Sequence, residues 1–291
     1  MDGVAGAQLG LDELGAGFDL PPRLARVTPA RLGAWTSCPR RYRLTYLDRP
    51  AHARRGARAH NTLGAVVHLA LRALFSLPAA QRTAAAAAGL VDRNWSSEGF
   101  RDAAQAAEYR ARARGWVAEY VERLDPDVEP VGVERWVSVP TGRVLVEGRA
   151  DRIDERDGEL VIVDYKTGRR APGAADARRS AALALYALAA QHTMHRPCRR
   201  VELHHLPTGE VAAWEHDAAS LRSHLEHAEA VAAESAAAAD ALAAGVPGPD
   251  EVDALFPART SAGCASCEFR AHCPEGRAAV PEAEPWALLA P

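Results

Sequence analysis

The sequence predicts an α/β fold in which a central mixed β-sheet is flanked by helices. Apolar residues recur at helical spacing through the first half of the chain, and valine-rich stretches with partial alternation follow in the second half. With 291 residues, of which 48% are hydrophobic, the chain can bury a sizeable core. We therefore expect one large α/β domain with a helical N-terminal part and a C-terminal cysteine-cluster tail.

The N-terminal part is predicted to be helical after a disordered tail. Residues 1–26 are rich in glycine and alanine without a sustained period, so we expect no fixed structure there. Thr28 followed by Pro29 is a helix-start signature. Helical spacing of apolar residues then predicts three helices, at Leu63–Leu77, Ala79–Asn94 and Arg101–Leu124.

The strands are predicted in the second half of the chain. Val131–Val139 and Arg143–Ile153 are rich in valine, and a typical Asp-Gly hairpin turn precedes the apolar strand Glu159–Asp164. A buried helix, a second hairpin and a long alanine-rich helix are predicted next, at Arg178–Gln191, Arg200–Leu206 with Glu210–Trp214, and His216–Ala244. We place the main domain at residues 27–245. The cysteine-bearing tail, residues 246–291, is expected to pack back on the N-terminal helix.

Composition and charge exclude several classes of protein. The N-terminus carries acidic residues where a secretory signal would need basic ones, and the longest apolar run, Ala181–Ala190, is too short to span a bilayer. The sequence has no GxxxxGK[ST] phosphate loop, which argues against an ATP-driven motor of the usual type. We expect a cytoplasmic protein without a membrane partner.

A basic segment lies between Arg40 and Arg58. It holds seven arginines against one acid, Asp48, with Tyr42 and Tyr46 interleaved, although the net charge of the chain is −3. Arginines with interleaved aromatics suit a strip that follows phosphates and stacks bases, whereas a solvated basic loop would have the same composition. The residues predicted to contact a nucleic-acid strand are Arg40, Arg41, Tyr42 and Arg43.

Lysine is almost absent from the chain. Of the 35 basic residues, Lys166 is the only lysine, so arginine serves wherever a general positive charge is enough. Lysine differs from arginine in offering a compact ammonium that can point at a single oxygen or give up a proton when partly buried. Lys166 is therefore a catalytic candidate, against the alternative of one surface lysine that survives by chance.

Two aspartates are predicted to meet across the first hairpin. A two-residue turn at 157–158 brings Asp151 directly opposite Asp164, with Cβ atoms about 4.5–5.5 Å apart, so that both acids can hold one hard divalent cation. Lys166 then returns to the same face, while Tyr165 points the other way. A carboxylate-held Mg²⁺ or Mn²⁺ beside a lysine suits phosphodiester hydrolysis. The alternative is an ordinary exposed hairpin in which the acids pair with neighbouring groups.

The same residues resemble the motifs of a nuclease family. The run Glu147-Gly-Arg-Ala-Asp-Arg-Ile-Asp, a turn, and Val161-Ile-Val-Asp-Tyr-Lys-Thr-Gly resemble motifs II and III of RecB-type nucleases of the PD-(D/E)XK superfamily. Gly64-Ala-Val-Val-His68 resembles the GxxxH motif of that family, which lies on a helix, and Tyr186 matches the tyrosine of its QxxxY helix. The resemblance covers nearly the whole chain after the tail and implies a PD-(D/E)XK nuclease core.

The resemblance also implies a role for each matching residue. Lys166 would act on the attacking water or on the transition state, and Tyr186 would organise the site. Ala182 stands where the family has a glutamine, which puts the usual hydrogen bonding around the site in doubt. The implied ligands of Mg²⁺ or Mn²⁺ are His68, Asp151, Asp164 and the backbone carbonyl of Tyr165, with Glu134 as an outer member.

Four of the five cysteines are spaced as one upstream residue, Cys38, and three downstream ones, Cys264, Cys267 and Cys273. Four thiolates suit zinc or an iron–sulfur cluster, and spacing alone does not decide between them. The pattern resembles the iron–sulfur staple of AddB-type and related RecB-family nucleases, which implies a [4Fe–4S] cluster with structural Zn²⁺ as the alternative. Either group would hold the two ends of the chain together. Cys198 fits no ligand pattern.

These expectations combine into metal-dependent hydrolysis of DNA phosphodiesters. By resemblance, we expect exonuclease action on single strands in repair or recombination, with a helicase or repair-complex partner. One alternative is a non-catalytic DNA-binding or scaffold subunit, in which Ala182 marks decay of the site. The other is a zinc-stapled interaction module.

Overall fold

A computed structural model describes residues 24–125, 129–245 and 248–289. Most of the N-terminal segment that we predicted to be disordered, residues 1–23, lies outside these ranges. The predicted end of this segment, at residue 26, lies too late in the sequence, because Ala25–Val27 form the first strand, β1. This strand pairs in parallel with the strand that begins at Val144.

Helices form most of the first half of the chain, as predicted. Thr28 caps the first helix, and its side-chain oxygen accepts a hydrogen bond from the backbone N–H of Arg31 at 3.1 Å. The helices are α1 Pro29–Ser37, α2 Pro39–Tyr46, α3 Ala59–Phe75, α4 Ala84–Arg93, α5 Ala103–Glu122, α6 Ala174–Arg179, α7 Ala181–Met194, α8 Ala218–Ala243, α9 Pro249–Leu255 and α10 Pro274–Ala279.

The strands form one mixed six-stranded sheet. Its order is β1-β3-β4-β5-β6, and β2, which lies off this path, also pairs with β3. The β1–β3 and β4–β5 pairs are parallel, and the other pairs are antiparallel. This confirms the predicted α/β fold with a central mixed sheet. The remaining bounds are β2 Gly132–Pro140, β3 Val144–Arg156, β4 Glu159–Lys166, β5 Cys198–His205 and β6 Val211–Glu215.

Helices cover both faces of the sheet around β4. Val161, Val163 and Tyr165 pack into a core with α3, α4 and α5, whereas Leu160 and Ile162 pack into a second core with α7. A strand that is buried on both faces reads as a continuous apolar run, which is how this segment appears in the sequence. The end of β4 therefore brings its last residues to a point between α3 and α7.

The C-terminal segment lies against α2. Arg40 on α2 pairs with Asp253 at 2.9 Å and with Glu275 at 2.5 Å, and the backbone N–H of Arg55 donates to the carbonyl of Glu268. These contacts join parts of the chain more than 200 residues apart. Within the described ranges, every helix is too short or too polar to cross a membrane.

Candidate metal centre

The β3–β4 hairpin sets the two predicted aspartates at the same level of the sheet. Its turn is Asp157-Gly158, with φ values of 53° and 81°, and two positive φ values are what a type I′ turn requires. Arg156 pairs with Glu159, which is the predicted register. Continued along the strands, the same register sets Asp151 opposite Asp164.

Asp151 is held from two sides. The backbone N–H of Tyr165 donates to its Oδ2 at 3.0 Å, and Nδ1 of His68, on α3, lies 3.4 Å from the same oxygen. Nε2 of His68 lies 3.2 Å from the carbonyl oxygen of Tyr165. Although burial lowers the pKa of His68, the hydrogen bond and charge of Asp151 raise it above the ordinary value. One helix and two strands thus converge on a single point.

Glu134 joins this point from β2. Its neighbours on β2 pair with the residues on either side of Asp151, and its φ of 48° places its backbone in the left-handed region. One ligand atom each of His68, Glu134 and Asp151 lie within 4.8 Å of one another. The family resemblance gave Glu134 only an outer place, and a left-handed glutamate inside a strand has no local sequence signature that would have raised its rank.

Asp164 and Lys166 lie at the end of β4. The ammonium of Lys166 contacts Oδ2 of Asp164. Burial raises the pKa of Asp164, the Lys166 ammonium opposes this rise, and the Asp151 carboxylate adds to it. Two carboxylates in a partly buried position favour the uptake of a positive charge. The ligand atoms that lie within 4.8 Å of one another belong to His68, Glu134 and Asp151, a donor set that fits Mg²⁺ or Mn²⁺, and Asp164 is not part of this group.

Tyr186 lies beside the two aspartates. Burial raises its pKa to about 12, with further contributions from the charges of Asp151 and Asp164. Its ring packs against the backbone of Gly148, because a Cβ built at that glycine would lie 2.5 Å from Cε1 of the tyrosine. Ala182 lies one turn earlier on α7, where the family has its glutamine.

His68, Glu134 and Asp151 border a cavity of about 420 Å³, which we call the site cavity, whereas Asp164, Lys166 and Tyr186 do not line it. Its walls come from α3, β2 and β3, and they carry two arginines, Arg72 and Arg149, beside the acids. Nε of Arg149 lies 2.8 Å from Oε2 of Glu134. The site cavity is therefore acidic at its centre and basic at its rim, which suits an anionic ligand that approaches a cation.

The four predicted cysteine ligands line one other cavity, of about 310 Å³, which we call the cysteine cavity. The remaining cysteine, Cys198, is buried elsewhere on β5, and burial raises its pKa to about 12. Gly276 faces the sulfurs: a Cβ there would lie 3.3 Å from Sγ of Cys273 and 3.6 Å from Sγ of Cys264. No three of the four sulfurs, all within the described ranges, lie within 4.8 Å of one another.

The predicted nucleic-acid strip is not an open surface. The ring of Tyr42 is buried, with 3% of the residue exposed. Arg40 is buried in its ion pairs with the C-terminal segment, and Arg43 lies close to Asp48 and Asp253. The prediction is therefore corrected at these three residues, because their groups are occupied by contacts within the protein.

Arg41 differs from its neighbours, because its side chain is 42% exposed although it donates to Glu268. It also lines the cysteine cavity with Arg40, Arg58 and Arg270. Positive charge at that cavity stabilises thiolates. The arginines of this segment thus serve the cysteine cavity and the C-terminal segment.

Comparison with known proteins places these features in a family. The family model of the PD-(D/E)XK nuclease superfamily matches residues 26–274, which is most of the chain. A search of curated proteins finds no match.

Two solved structures were also compared. One is a protein from Eubacterium rectale that is named a candidate exonuclease, with 8% identity over 77% of this chain and 84% of that one, at a TM-score of 0.43. The other is named SSO0001, with 12% identity over 91% of each chain, at a TM-score of 0.35. Both scores lie below 0.5, so the family match carries the identification.

Proposed function

This chain belongs to the PD-(D/E)XK nuclease superfamily, and from that membership we propose that it is a Mg²⁺- or Mn²⁺-dependent deoxyribonuclease of the RecB type. The observation that carries the proposal is the convergence of His68, Asp151 and Glu134 on one point, with Asp164 and Lys166 at the adjoining strand end. We propose single-stranded DNA as the substrate and exonucleolytic hydrolysis, in repair or recombination, as the reaction.

His68, Asp151 and Asp164 would hold the cation, with Glu134 and the carbonyl of Tyr165 as further ligands. A divalent cation bound there supplies charge stabilisation for the phosphodiester and a nucleophilic water near neutral pH. In the hydrolysis a water oxygen attacks phosphorus, the ester P–O bond breaks, and the leaving oxygen takes up a proton.

The side chains and backbone of this chain position that reaction. Lys166, whose ammonium contacts Asp164, is placed to donate to a phosphate oxygen or to orient the attacking water. The backbone of Tyr165 fixes the geometry from both ends, since its N–H holds Asp151 and its carbonyl faces His68. Tyr186 closes the site on the α7 side.

Cleavage of end-labelled single-stranded DNA with Mg²⁺ or Mn²⁺ tests the proposal. Lys166→Ala and Asp151→Ala are expected to lower the rate by about 10²- to 10⁴-fold, the usual contribution of a positioned acid–base group. Arg222→Ala, which removes a cation from the exposed face of α8, is the matched control and should retain activity. A parent protein that shows no metal-dependent cleavage above the two site variants would overturn the enzyme assignment.

A non-catalytic DNA-binding or scaffold subunit is the second candidate function, and Ala182 is the observation that favours it. Under that function the fold and the cysteine cavity would persist without turnover. Parent protein and Lys166→Ala would then bind single-stranded DNA equally and degrade none. The same cleavage assay, combined with a binding assay, separates the two functions.

For the cysteine cavity we propose a [4Fe–4S] cluster held by Cys38, Cys264, Cys267 and Cys273. All four line the one cavity, and several arginines of the same lining balance the negative charge of thiolates. Four sulfurs around one zinc ion stand roughly 3.8 Å apart, because each Zn–S bond is about 2.3 Å. No three of these sulfurs, all of them described, lie within 4.8 Å of one another, so the choice of the cluster over Zn²⁺ rests on the family resemblance.

Anaerobic purification followed by iron and sulfide analysis tests the cluster. We expect iron and sulfide in the parent and in Cys198→Ala, the matched control, and their loss in Cys267→Ser. A colourless protein that contains zinc instead would contradict the cluster and would support the zinc-stapled interaction module. Because this readout is a metal content, it is independent of nuclease activity.

A further inference from the structure

An exposed tryptophan stands next to the site cavity on the β2–β3 ribbon. Trp136 is 62% exposed, and it pairs across the two strands with Arg149, which lines the site cavity. Further from the site, Ser138 pairs with Glu147. In the other direction, the residues on either side of Glu134 pair with those on either side of Asp151. Successive cross-strand pairs thus lead from the metal centre to the tryptophan.

Trp136 and Arg149 lie directly opposite each other on the ribbon. Glu134 precedes Trp136 by two residues, and its left-handed backbone interrupts the regular alternation of the strand. Nε of Arg149 lies 2.8 Å from Oε2 of Glu134, so this contact connects the Trp136–Arg149 pair to the metal centre. A ligand that occupies the metal centre and extends along the ribbon therefore meets the indole ring next.

Arginines lie on both sides of the tryptophan, two of them paired with glutamates. Arg149 donates through Nε to Glu134 and is 52% exposed, and Arg72 lies exposed on the opposite wall of the site cavity. On the far side of Trp136, a shallow cavity brings in the exposed Arg26, which lies 3.4 Å from Glu147. An aromatic ring with arginines on both sides is the arrangement that binds the backbone and stacks the bases of an unpaired strand.

We propose that Trp136 is a stacking platform for an unpaired base of a nucleic-acid strand whose phosphate lies at the metal centre, with Arg149 contacting the backbone. This inference rests on the proposed nuclease function and narrows its substrate to a strand that is unpaired at this position. Inside a duplex both faces of each base are covered by its neighbours, so an indole would have to displace one of them. The platform therefore discriminates against internal positions of a duplex.

The exposed apolar groups favour this ligand over a protein partner. Among the described residues, four large apolar side chains are exposed, Leu69, Trp136, Val211 and Leu288, and of these Leu69 lines the site cavity. Protein docking surfaces present a contiguous apolar patch, whereas the ring of Trp136 stands between charged groups. One indole with arginines beside it supplies stacking area and phosphate contacts without such a patch.

Binding of a fluorescent oligothymidylate, followed by anisotropy in EDTA at fixed salt, tests the platform without cleavage. Trp136→Ala is expected to weaken binding by about 5- to 150-fold, the range that loss of one stacked base implies. Trp136→Phe keeps a ring and should stay within about threefold of the parent. Val211→Ala, at an equally exposed position on β6, is the matched control and should bind as the parent does.

Three results would overturn the proposal. In the first, Trp136→Ala binds the oligonucleotide with the affinity of the parent. In the second, it weakens binding of a closed circular duplex and of the single strand equally. In the third, it changes the oligomeric state, measured by size-exclusion chromatography with light scattering, while the affinity stays constant. The last result would assign the surface to a protein contact. The binding assay does not depend on turnover. A parent protein that cuts no DNA would therefore contradict the nuclease assignment, whereas the effect of Trp136→Ala on binding would still test the platform.

Where the parent cleaves DNA, kinetics supply a second readout. Trp136→Ala should raise KM for a single-stranded substrate in proportion to the loss of affinity and leave kcat within about twofold, because the ring binds the strand away from the reacting phosphate. Lys166→Ala should instead lower kcat. A Trp136→Ala variant that lowers kcat and leaves KM unchanged would contradict a binding platform.

Discussion

The two faces of the β3–β4 hairpin differ in how their carboxylates are paired. On the site face Asp151 and Asp164 lie near each other. On the other face Arg152 donates to Asp154 at 2.9 Å and to the Tyr120 hydroxyl at 2.8 Å. We call this second set, which extends to Tyr165, Glu202 and His204, the arginine network.

The contrast is sharpest between two buried carboxylates. Burial raises the pKa of Asp164, and the nearby Asp151 adds to the rise against the opposing Lys166. Burial also acts to raise the pKa of Glu202, but hydrogen bonds from His204, Arg156 and Arg200 lower it far below its ordinary value. The arginine network is electrostatically satisfied, so its function is structural. On the site face Lys166 pairs with Asp164 and His68 with Asp151, but the Asp151 charge still helps to raise the pKa of Asp164, which favours the binding of a further cation.

The largest expected effect comes from making the same substitution on each face. Asp154→Asn should lower the free energy of unfolding by about 3 kcal/mol, because it leaves the buried Arg152 with a broken ion pair. Asp151→Asn should leave that free energy unchanged or higher in EDTA, since it removes one of two close carboxylates, while it lowers the cleavage rate at least about 100-fold. Urea denaturation and the cleavage assay measure the two quantities. Equal destabilisation by both variants would remove the distinction between the faces.

Addition of metal sharpens the comparison further. With Mg²⁺ at about one hundred times its Kd, binding to the folded state alone should raise the free energy of unfolding by about 2.7 kcal/mol. The increase should vanish in Asp151→Asn and persist in Arg222→Ala. Thermal unfolding in Mg²⁺ and in EDTA provides the measurement, and the same increase in Asp151→Asn would place the cation away from the proposed centre.

Acid should lower the contribution of the arginine network to the free energy of unfolding. A carboxyl group whose pKa is lower in the folded than in the unfolded chain stabilises the fold above its unfolded pKa and loses that contribution as the pH falls. For Glu202 the ordinary value is 4.5, so its contribution is complete at neutral pH and declines below about pH 4.5. Glu202→Gln should cost about 2 kcal/mol at pH 7 and less at pH 3.

Urea denaturation at the two pH values measures this cost. Glu226→Gln, on the exposed face of α8, is the control and should show no such difference. A cost for Glu202→Gln that grows toward low pH would contradict the sign of the effect.

The parts of the site that follow local rules could be predicted from the sequence. The Asp-Gly turn fixes the hairpin register, and the register fixes Asp151 opposite Asp164. The predicted helix from residue 178 to 191 corresponds to α7, which begins at Ala181, because Ser180 ends α6 and caps α7, and which ends at Met194. Period and turn chemistry were enough in these places, because the deciding contacts lie within a few residues.

The errors have a common physical cause, which is a partner that is distant in sequence. Arg40 looked available for DNA because its partners, Asp253 and Glu275, lie more than 200 residues away. The arginine network was missed for the same reason, since it joins Tyr120 on α5 to His204 on β5 at 2.8 Å. Charge composition within a segment says nothing about ion pairs that only the folded chain can form.

The smallest predicted effect concerns the contact that closes the site. A Cβ at residue 148 would overlap the Tyr186 ring at 2.5 Å from Cε1, so the ring must shift in Gly148→Ala. Because the ring is only half-buried, the shift should cost about 1 kcal/mol, the low end of the range for overpacking. The cleavage rate should fall by about tenfold, since Tyr186 lies beside both aspartates. Gly142→Ala provides a comparison at a turn with open space around it but a positive φ of 85°, and it should lose stability without losing rate. If Gly148→Ala keeps the full rate at unchanged stability, the tyrosine does not position the site.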